Sequence, residues 1–318
     1  MKFNFLKIFI GKKNKNKNNS TKINITRKPK IGLVLSGGGT RGMAHLGALK
    51  AFEENNIKFD YVAGTSIGAI IGAFYCSQKF SVNQMIEMSK VIKIKDIKTS
   101  KIPFMPSKTD KMEQILIDHL GDIDIKQLNL PFAVVAVDMV SGEEVVFNEG
   151  RLSKVVTGSC AVPGIFSCVQ YEKMNLADGG LSNNIPADVL KLLGCDYVVS
   201  IDLNFKRGQG TDSLKTVDLL WAALRILMKS NATKGKLYSD IIIEPHLSDF
   251  KSTKLDKLDD MINEGYRATM SKIIDIKNLL DPNKVKRRNI KIKEHKKQFK
   301  EDKLIDIDEE IDLFDKDL

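Results

Sequence analysis

Two short apolar stretches early in the sequence are each followed by a glycine-rich turn and then by an apolar helical pattern. The first, Ile31 to Leu35, reaches the glycines at 37–39, and apolar residues then recur at helical spacing from Met43 to Glu54. The second, Tyr61 to Ala63, runs into the sequence GTSIG and an apolar stretch that ends at Cys76. Strands that pass through tight turns into helices predict an α/β protein with a mainly parallel central sheet flanked by helices.

The middle of the sequence continues this alternation of strands and helices, without an internal repeat. Further strands are predicted at Phe132–Val137, Glu144–Phe147, Tyr171–Ala177, Tyr197–Ile201 and Ile241–Ile243. Helices are predicted at 82–92, 109–119, 187–193, 214–229 and 256–279.

Charge divides the chain into three parts. The whole chain of 318 residues has a net charge of +10, and residues 1–30 alone carry that charge, because they contain ten basic and no acidic side chains. We interpret 1–30 as a basic low-complexity tail, 31–280 as one domain and 281–318 as a charged C-terminal extension. Because the remainder of the chain is electrically neutral, we expect no nucleic-acid partner.

The sequence also indicates in which cellular compartment we expect the protein. Four cysteines without a C-x-x-C spacing indicate a reducing, cytoplasmic setting, and Cys160 and Cys168 are expected to be small buried residues. The longest apolar run, Ile67 to Cys76, is shorter than the ~18 to 20 residues of a membrane span. We find no pattern of a secretion signal near Met1.

The strongest local signal for chemistry is the G-x-S-x-G pattern formed by Gly64, Ser66 and Gly68 between a strand and a helix. A nucleophilic serine needs a sharp turn that lifts its hydroxyl from the backbone, and glycines on both sides leave room for it. The helix that follows aims N–H groups at any oxyanion formed there. The same pattern also occurs as an ordinary tight turn, and taken alone it leaves both interpretations open.

The second signal is GGGTRG at 37–42, which contains Gly37, Gly38, Gly39, Arg41 and Gly42 around a threonine. Consecutive glycines let the main chain present several N–H groups to negative charge. The spacing also fits a dinucleotide loop, but that site needs an acidic residue at the end of the second strand, and the nearby acid precedes this strand. We therefore favour a loop that stabilises an oxyanion.

A third element, Asp178-Gly179-Gly180, follows the predicted strand at Tyr171–Ala177 and can expose a carboxylate, although Asp-Gly also occurs as an ordinary turn. In this order, GGGTRG, GTSIG and DGG resemble the motifs of the patatin-like phospholipase family. The sequences MAHLGALKAFEE, SCAVPGIF and GGLSNNIPADVL also look like bacterial members of the family. The resemblance is clear from about residue 31 to 205, becomes weak to about 275 and includes neither tail.

The resemblance implies a patatin-like three-layer fold and a serine acyl hydrolase that cleaves lipid esters without a metal or other cofactor. Ser66 would be the nucleophile and Asp178 its base, with no histidine. The amides of Gly37, Gly38 and Gly39 would stabilise the oxyanion, and Arg41 would brace the loop or add positive charge. An acyl transfer needs these three roles: nucleophile, base and oxyanion donors.

The sequence leaves two alternatives open. His246 could complete an α/β-hydrolase triad with Ser66 and an intervening aspartate, whereas His45 is expected to be structural. The second alternative is a lipid-binding or regulatory protein that uses the same pocket without turnover.

Two segments bear on membrane attachment. The apolar stretch Leu219 to Met228 is either part of the core or a lid that contacts membrane. The basic tail, residues 1–30, could hold the enzyme at an anionic membrane surface, on the inner face, or could simply be solvated.

Overall fold

The computed structural model describes residues 29–91, 106–203, 216–248, 250 and 257–280. The chain separates into two compact units, Met1–Ile273 and Ile274–Leu318. The fold described below is that of the first unit, and the last helix, Ile273–Leu280, supplies the described part of the second. Residues 1–28 and the predicted extension 281–318 lie outside the described residues, so the proposed boundaries at 30 and 280 stay predictions.

Eight strands of the described part of the chain form one sheet, in the order β5-β6-β3-β2-β1-β7-β8, with β4 paired to β3. Their bounds are β1 Ile31–Leu35, β2 Tyr61–Thr65, β3 Phe132–Asp138, β4 Glu144–Phe147, β5 Val169–Tyr171, β6 Met174–Asp178, β7 Tyr197–Ile201 and β8 Ile241–Ile243. The five neighbouring strands β3, β2, β1, β7 and β8 are parallel to one another. Strands β4 and β6 run antiparallel to β3.

One predicted strand is wrong. The segment Tyr171–Ala177 is a hairpin, in which β5 and β6 pair antiparallel through Tyr171 and Met174. The chain reverses at Glu172, which has a positive φ of 53°. Glutamate is not a residue that usually marks such a turn, so the sequence carried no signal for it.

Nine helices accompany the strands in the described ranges. Their bounds are α1 Met43–Glu54, α2 Ile67–Ser77, α3 Val82–Val91, α4 Asp110–Leu120, α5 Leu152–Ser159, α6 Ala187–Leu192, α7 Thr216–Tyr238, α8 Leu258–Met270 and α9 Ile273–Leu280. The helix predicted at 214–229 extends to Tyr238, and the one predicted at 256–279 is two helices separated near Ser271. Among the described residues, no helix combines the length and apolar character needed to cross a membrane.

Helices cover both faces of the sheet. On one face Val34 and Val135 pack in a buried cluster with Leu190 of α6 and Ala232 of α7. On the other face Gly72 of α2 lies directly against the ring of Phe132. Alternate side chains of the same buried strands therefore enter two cores. The predicted α/β fold, with a mainly parallel central sheet flanked by helices, is confirmed.

Candidate active site

Ser66 stands at a sharp turn between β2 and α2. Its φ of 55° and ψ of −125° lie in a region that non-glycine residues rarely occupy. A Cβ atom at Gly64 would come within 2.5 Å of the carbonyl oxygen of Gly68, so the turn closes too tightly for larger residues. The strained backbone turns the Ser66 side chain away from the strand direction.

The register of β3 brings Asp178 to this turn. Thr65, the last residue of β2, pairs with Val135, and Asp178, the last residue of β6, pairs with Ala136, the next residue of β3. The Ser66 hydroxyl donates a hydrogen bond of 2.6 Å to Oδ2 of Asp178. Two predicted site residues, far apart in the sequence, are thus in direct contact.

Asp178 is a carboxylate in a fully buried position. Burial raises its pKa from the ordinary 3.8 to about 6, although hydrogen bonds from the Ser66 hydroxyl and the Gly180 amide oppose this rise. The Gly180 N–H lies 2.8 Å from Oδ1, so each carboxylate oxygen has a donor. A carboxylate with such a raised pKa accepts a proton more readily than an exposed aspartate, yet is ionised at neutral pH.

The glycine loop after β1 borders the serine. A Cβ atom at Gly37 would lie 3.2 Å from the Cβ of Ser66, so only a glycine leaves this approach open. The Gly37 N–H donates a hydrogen bond to the carbonyl of Asn184 at 3.4 Å. Gly39, two residues later, has a φ of 60°, in the left-handed region. The loop therefore runs close to Ser66 at Gly37, whose own N–H is directed at Asn184.

Arg41 and Gly42 support this loop from behind. The Arg41 side chain is buried, and its Nε donates to the carbonyl of Phe250 at 3.0 Å. A Cβ atom at Gly42 would overlap the side chain of Ile67, the first residue of α2. Of the two roles considered for Arg41, this geometry favours bracing of the loop.

The histidines occupy different settings. His45 is buried, its Nε2 lies 2.9 Å from the carbonyl oxygen of Ser36, and burial lowers its pKa to about 4. It is a neutral structural residue, as expected. His246 is exposed in the segment that follows β8. His295 lies outside the described residues.

The segment after α5 contributes residues that sequence reasoning did not place in the site. The hydroxyl oxygen of Ser159 accepts a hydrogen bond from the N–H of Ser66. The carbonyl oxygen of Ala161 accepts one from the N–H of Asp178. Cys160, between Ser159 and Ala161 in the sequence, is buried, and burial raises the pKa of its thiol. The only signal for this segment was its resemblance, as SCAVPGIF, to a block that precedes the family's aspartate.

Asn184 was also missed, although it stands in the stretch that follows DGG. It is 1% exposed, and its Oδ1 has no hydrogen-bond partner. A Cβ atom at either Gly37 or Gly180 would come within 3.0 Å of that oxygen. The Asn184 side chain thus separates the glycine loop from the turn after Asp178.

Helix α7 borders the site on another side. The Met228 side chain lies against Gly180, and Asn231 donates to the carbonyl of Leu181 at 2.5 Å. The stretch Leu219–Met228 is only partly core, because Leu219, Ile226 and Leu227 are about half exposed. The core interpretation of this stretch therefore holds only in part, as for the buried Ala222.

Two further observations concern cysteines and metals. Cys160 is buried as expected. Cys168 is exposed, so its expected burial was wrong; it precedes β5, a short strand at the edge of the sheet.

Within the residues that the structure describes, no cluster of three His, Cys, Asp or Glu side chains could hold a metal ion. The site offers a hydroxyl, a carboxylate and backbone amides, a set that can perform acyl transfer.

Known proteins share this sequence pattern. The chain is 36% identical over 183 residues to neuropathy target esterase sws of Drosophila melanogaster, a match that covers 54% of this chain and 13% of that protein. It is 26% identical over 198 residues to the uncharacterized NTE family protein Rv1063c of Mycobacterium tuberculosis, covering 61% of this chain and 54% of that protein. The chain thus spans about half or less of these relatives' lengths.

Among solved structures, VipD from Legionella pneumophila aligns with 78% of this chain and 67% of its own, at 16% sequence identity and a TM-score of 0.49. The family model described as "Patatin-like phospholipase" matches residues 33–191, half of the chain, and these residues include all three predicted motifs. The chain therefore belongs to the patatin-like phospholipase family.

Proposed function

We propose that this protein is a serine acyl hydrolase that cleaves lipid esters, of the phospholipase A or lysophospholipase type, through an acyl-enzyme on Ser66. The observation that carries the proposal is the 2.6 Å hydrogen bond from the Ser66 hydroxyl to Asp178. It joins a strained serine to a buried carboxylate. Acyl transfer through an acyl-enzyme requires such a pair, a nucleophile and a base within hydrogen-bond distance. Membership of the family supports a lipid ester as substrate.

In the first half of the reaction, the Ser66 oxygen attacks the ester carbonyl carbon while its proton passes to Asp178. The oxyanion that forms lies beside the glycine loop, where the N–H groups of Gly38 and Gly39 are the main donors, since the Gly37 N–H is directed at Asn184. The C–O bond to the leaving alcohol then breaks, and Asp178 returns the proton to the alcohol oxygen. The product is an acyl group esterified to Ser66.

In the second half, Asp178 takes a proton from water as the water oxygen attacks the acyl-enzyme. The tetrahedral intermediate collapses, the free acid leaves, and Asp178 gives the proton back to Ser66. One buried carboxylate can perform both transfers because its pKa of about 6 lies close to neutral pH. Each oxyanion donor contributes roughly 3 kcal/mol to lowering the barrier.

A fluorophosphonate probe tests the nucleophile directly. We expect the folded protein to be labelled at Ser66, and Ser66→Ala to lose both labelling and hydrolysis of a soluble ester. Asp178→Asn should reduce kcat by at least ~10³-fold, because amide side chains cannot accept the proton. His246→Ala serves as the matched control, and it should retain full activity.

Each alternative predicts a different outcome. Loss of activity in His246→Ala together with an active Asp178→Asn enzyme would show a histidine triad instead. A folded protein that leaves the probe unreacted while it binds lipid would show the non-catalytic alternative.

We also propose peripheral contact with an anionic membrane. The basic residues of the tail, 1–30, supply positive charge, and the half-exposed Leu219, Ile226 and Leu227 of α7 add apolar surface. Because Met228 of the same helix lies against Gly180, such contact would bring the site close to its lipid substrate.

A further inference from the structure

The hydrogen-bond ladder between β2 and β3 is interrupted at the nucleophile. In a parallel pair, every second residue of one strand donates its N–H to the neighbouring strand. Val62 follows this rule, since its N–H donates to the carbonyl of Pro131 at 3.0 Å. Because the rule applies to every second residue, the N–H of Ser66, four residues after Val62, would donate to the carbonyl of Val135.

A side chain from α5 occupies that place in the ladder. The N–H of Ser66 donates to Oγ of Ser159 at 2.9 Å, and the Ser159 hydroxyl donates to the carbonyl of Val135 at 2.6 Å. Ser159 is fully buried, so no bulk water serves these two backbone groups. Its hydroxyl therefore acts as an inserted link that satisfies one donor and one acceptor at once.

The inserted link has a geometric consequence for the serine. A direct N–H to carbonyl bond would hold Ser66 in the extended conformation of β2. With a hydroxyl between the strands, Ser66 can leave the strand direction, take its φ of 55° and aim its oxygen at Asp178. Asp178, on β6, pairs with Ala136, which is the residue of β3 directly after Val135.

The same short segment also holds the base. Two residues after Ser159, the carbonyl of Ala161 accepts the N–H of Asp178 at 3.0 Å. The backbones of both reacting residues are thus tied to one three-residue segment at the end of α5.

We infer that Ser159 is a positioning residue, whose hydroxyl replaces the next ladder bond between β2 and β3 and thereby fixes the orientation of Ser66 toward Asp178. The inference rests on the proposed nucleophilic role of Ser66. Ser159 itself touches neither the ester nor the transferred proton.

The test compares two serines of the same helix. Ser159→Ala should lower kcat by ~10²-fold with little change in KM, because a displaced nucleophile slows chemistry more than binding. Ser153 is also buried in α5, but its hydroxyl has no hydrogen-bond partner, so Ser153→Ala should leave kcat unchanged. Equal effects of the two substitutions would overturn the inference.

A second pair of variants separates the hydroxyl from side-chain volume. Ser159→Thr and Ser159→Val add similar bulk, but threonine alone keeps the hydroxyl, so Thr should retain distinctly more activity and faster fluorophosphonate labelling than Val. Equal rates for a folded Thr and Val pair would contradict the inference.

A crystal structure of Ser159→Ala keeps the inference testable without catalysis. We expect the Ser66 φ to become negative or its oxygen to move beyond hydrogen-bond distance of Asp178. An unchanged Ser66, held by a water molecule in place of the hydroxyl, would overturn the inference. If the wild-type protein is not labelled by the probe, the proposed function fails, and this crystallographic result decides the positioning role alone.

Discussion

For single residues, the ionisation of Asp178 determines when the proposed chemistry can run. Burial raises its pKa to about 6, and only the ionised form can take the Ser66 proton. We therefore expect kcat/KM for a soluble ester to rise with pH, with a midpoint near 6, and to level off above it. His246→Ala should show the same profile, and loss of the rise in this variant would assign the titration to the histidine instead.

Because its pKa is raised, Asp178 should also make the free energy of unfolding depend on pH. The folded protein holds the Asp178 proton more tightly than the unfolded chain, whose aspartate titrates near 3.8. Its contribution to stability is therefore full below pH ~4 and is lost as the pH rises through about 6. Asp178→Asn, which carries no buried charge, should raise the free energy of unfolding by ~1–3 kcal/mol at pH 8 and change it little at pH 4. Urea unfolding at the two pH values measures this difference, and a less stable variant at pH 8 would contradict it.

Among the helices, the crossing of α1 and α8 depends on two glycines. A Cβ atom at Gly47 would overlap the carbonyl of Ile262, and one at Gly265 would overlap the carbonyl of Ala44. Alanine inside a helix usually stabilises it by ~0.5–1 kcal/mol relative to glycine. Here the overlap with backbone should reverse the sign, and Gly47→Ala should destabilise the protein by ~1–3 kcal/mol.

Urea unfolding of Gly47→Ala checks this prediction, and Glu53→Ala is its control, because Glu53 is exposed on the same helix. A gain in stability for Gly47→Ala would show that the two helices can separate at no cost. Since α1 starts directly after Gly42, loosening this crossing should also lower the activity.

The sequence predicted some elements well because their signals are local. The strand, turn and helix around Ser66 follow from GTSIG and its apolar flanks, and the structure has a turn there with a positive φ. Contact between Ser66 and Asp178 depends instead on the register of β3, which the sequence does not specify. The roles of Ser159 and Asn184 could not be predicted either, since a buried serine or asparagine acquires its partners only through the packing of distant elements.

For the whole molecule, the net positive charge lies outside the part of the chain that forms the proposed active site, in the tail proposed to contact membrane. The net charge of +10 belongs to residues 1–30, whereas the residues that form the site come from the electrically neutral remainder. Deletion of residues 1–28 should therefore leave hydrolysis of a soluble monomeric ester unchanged. It should weaken binding to anionic vesicles at low salt by more than ~tenfold, since each basic side chain near such a surface contributes on the order of 1 kcal/mol.

Sedimentation with vesicles of defined anionic content measures this effect, and Ser66→Ala in the full chain is the reference, because it keeps the tail but does not degrade the lipid. Added salt should weaken binding of the full chain and have little effect on the deletion variant, because screening acts on the tail charges. Binding that survives the deletion unchanged would contradict the role of the tail. Attachment would then depend on apolar contact, and Ile226→Asn with Leu227→Asn should remove it, because both side chains are half exposed on α7 beside the site.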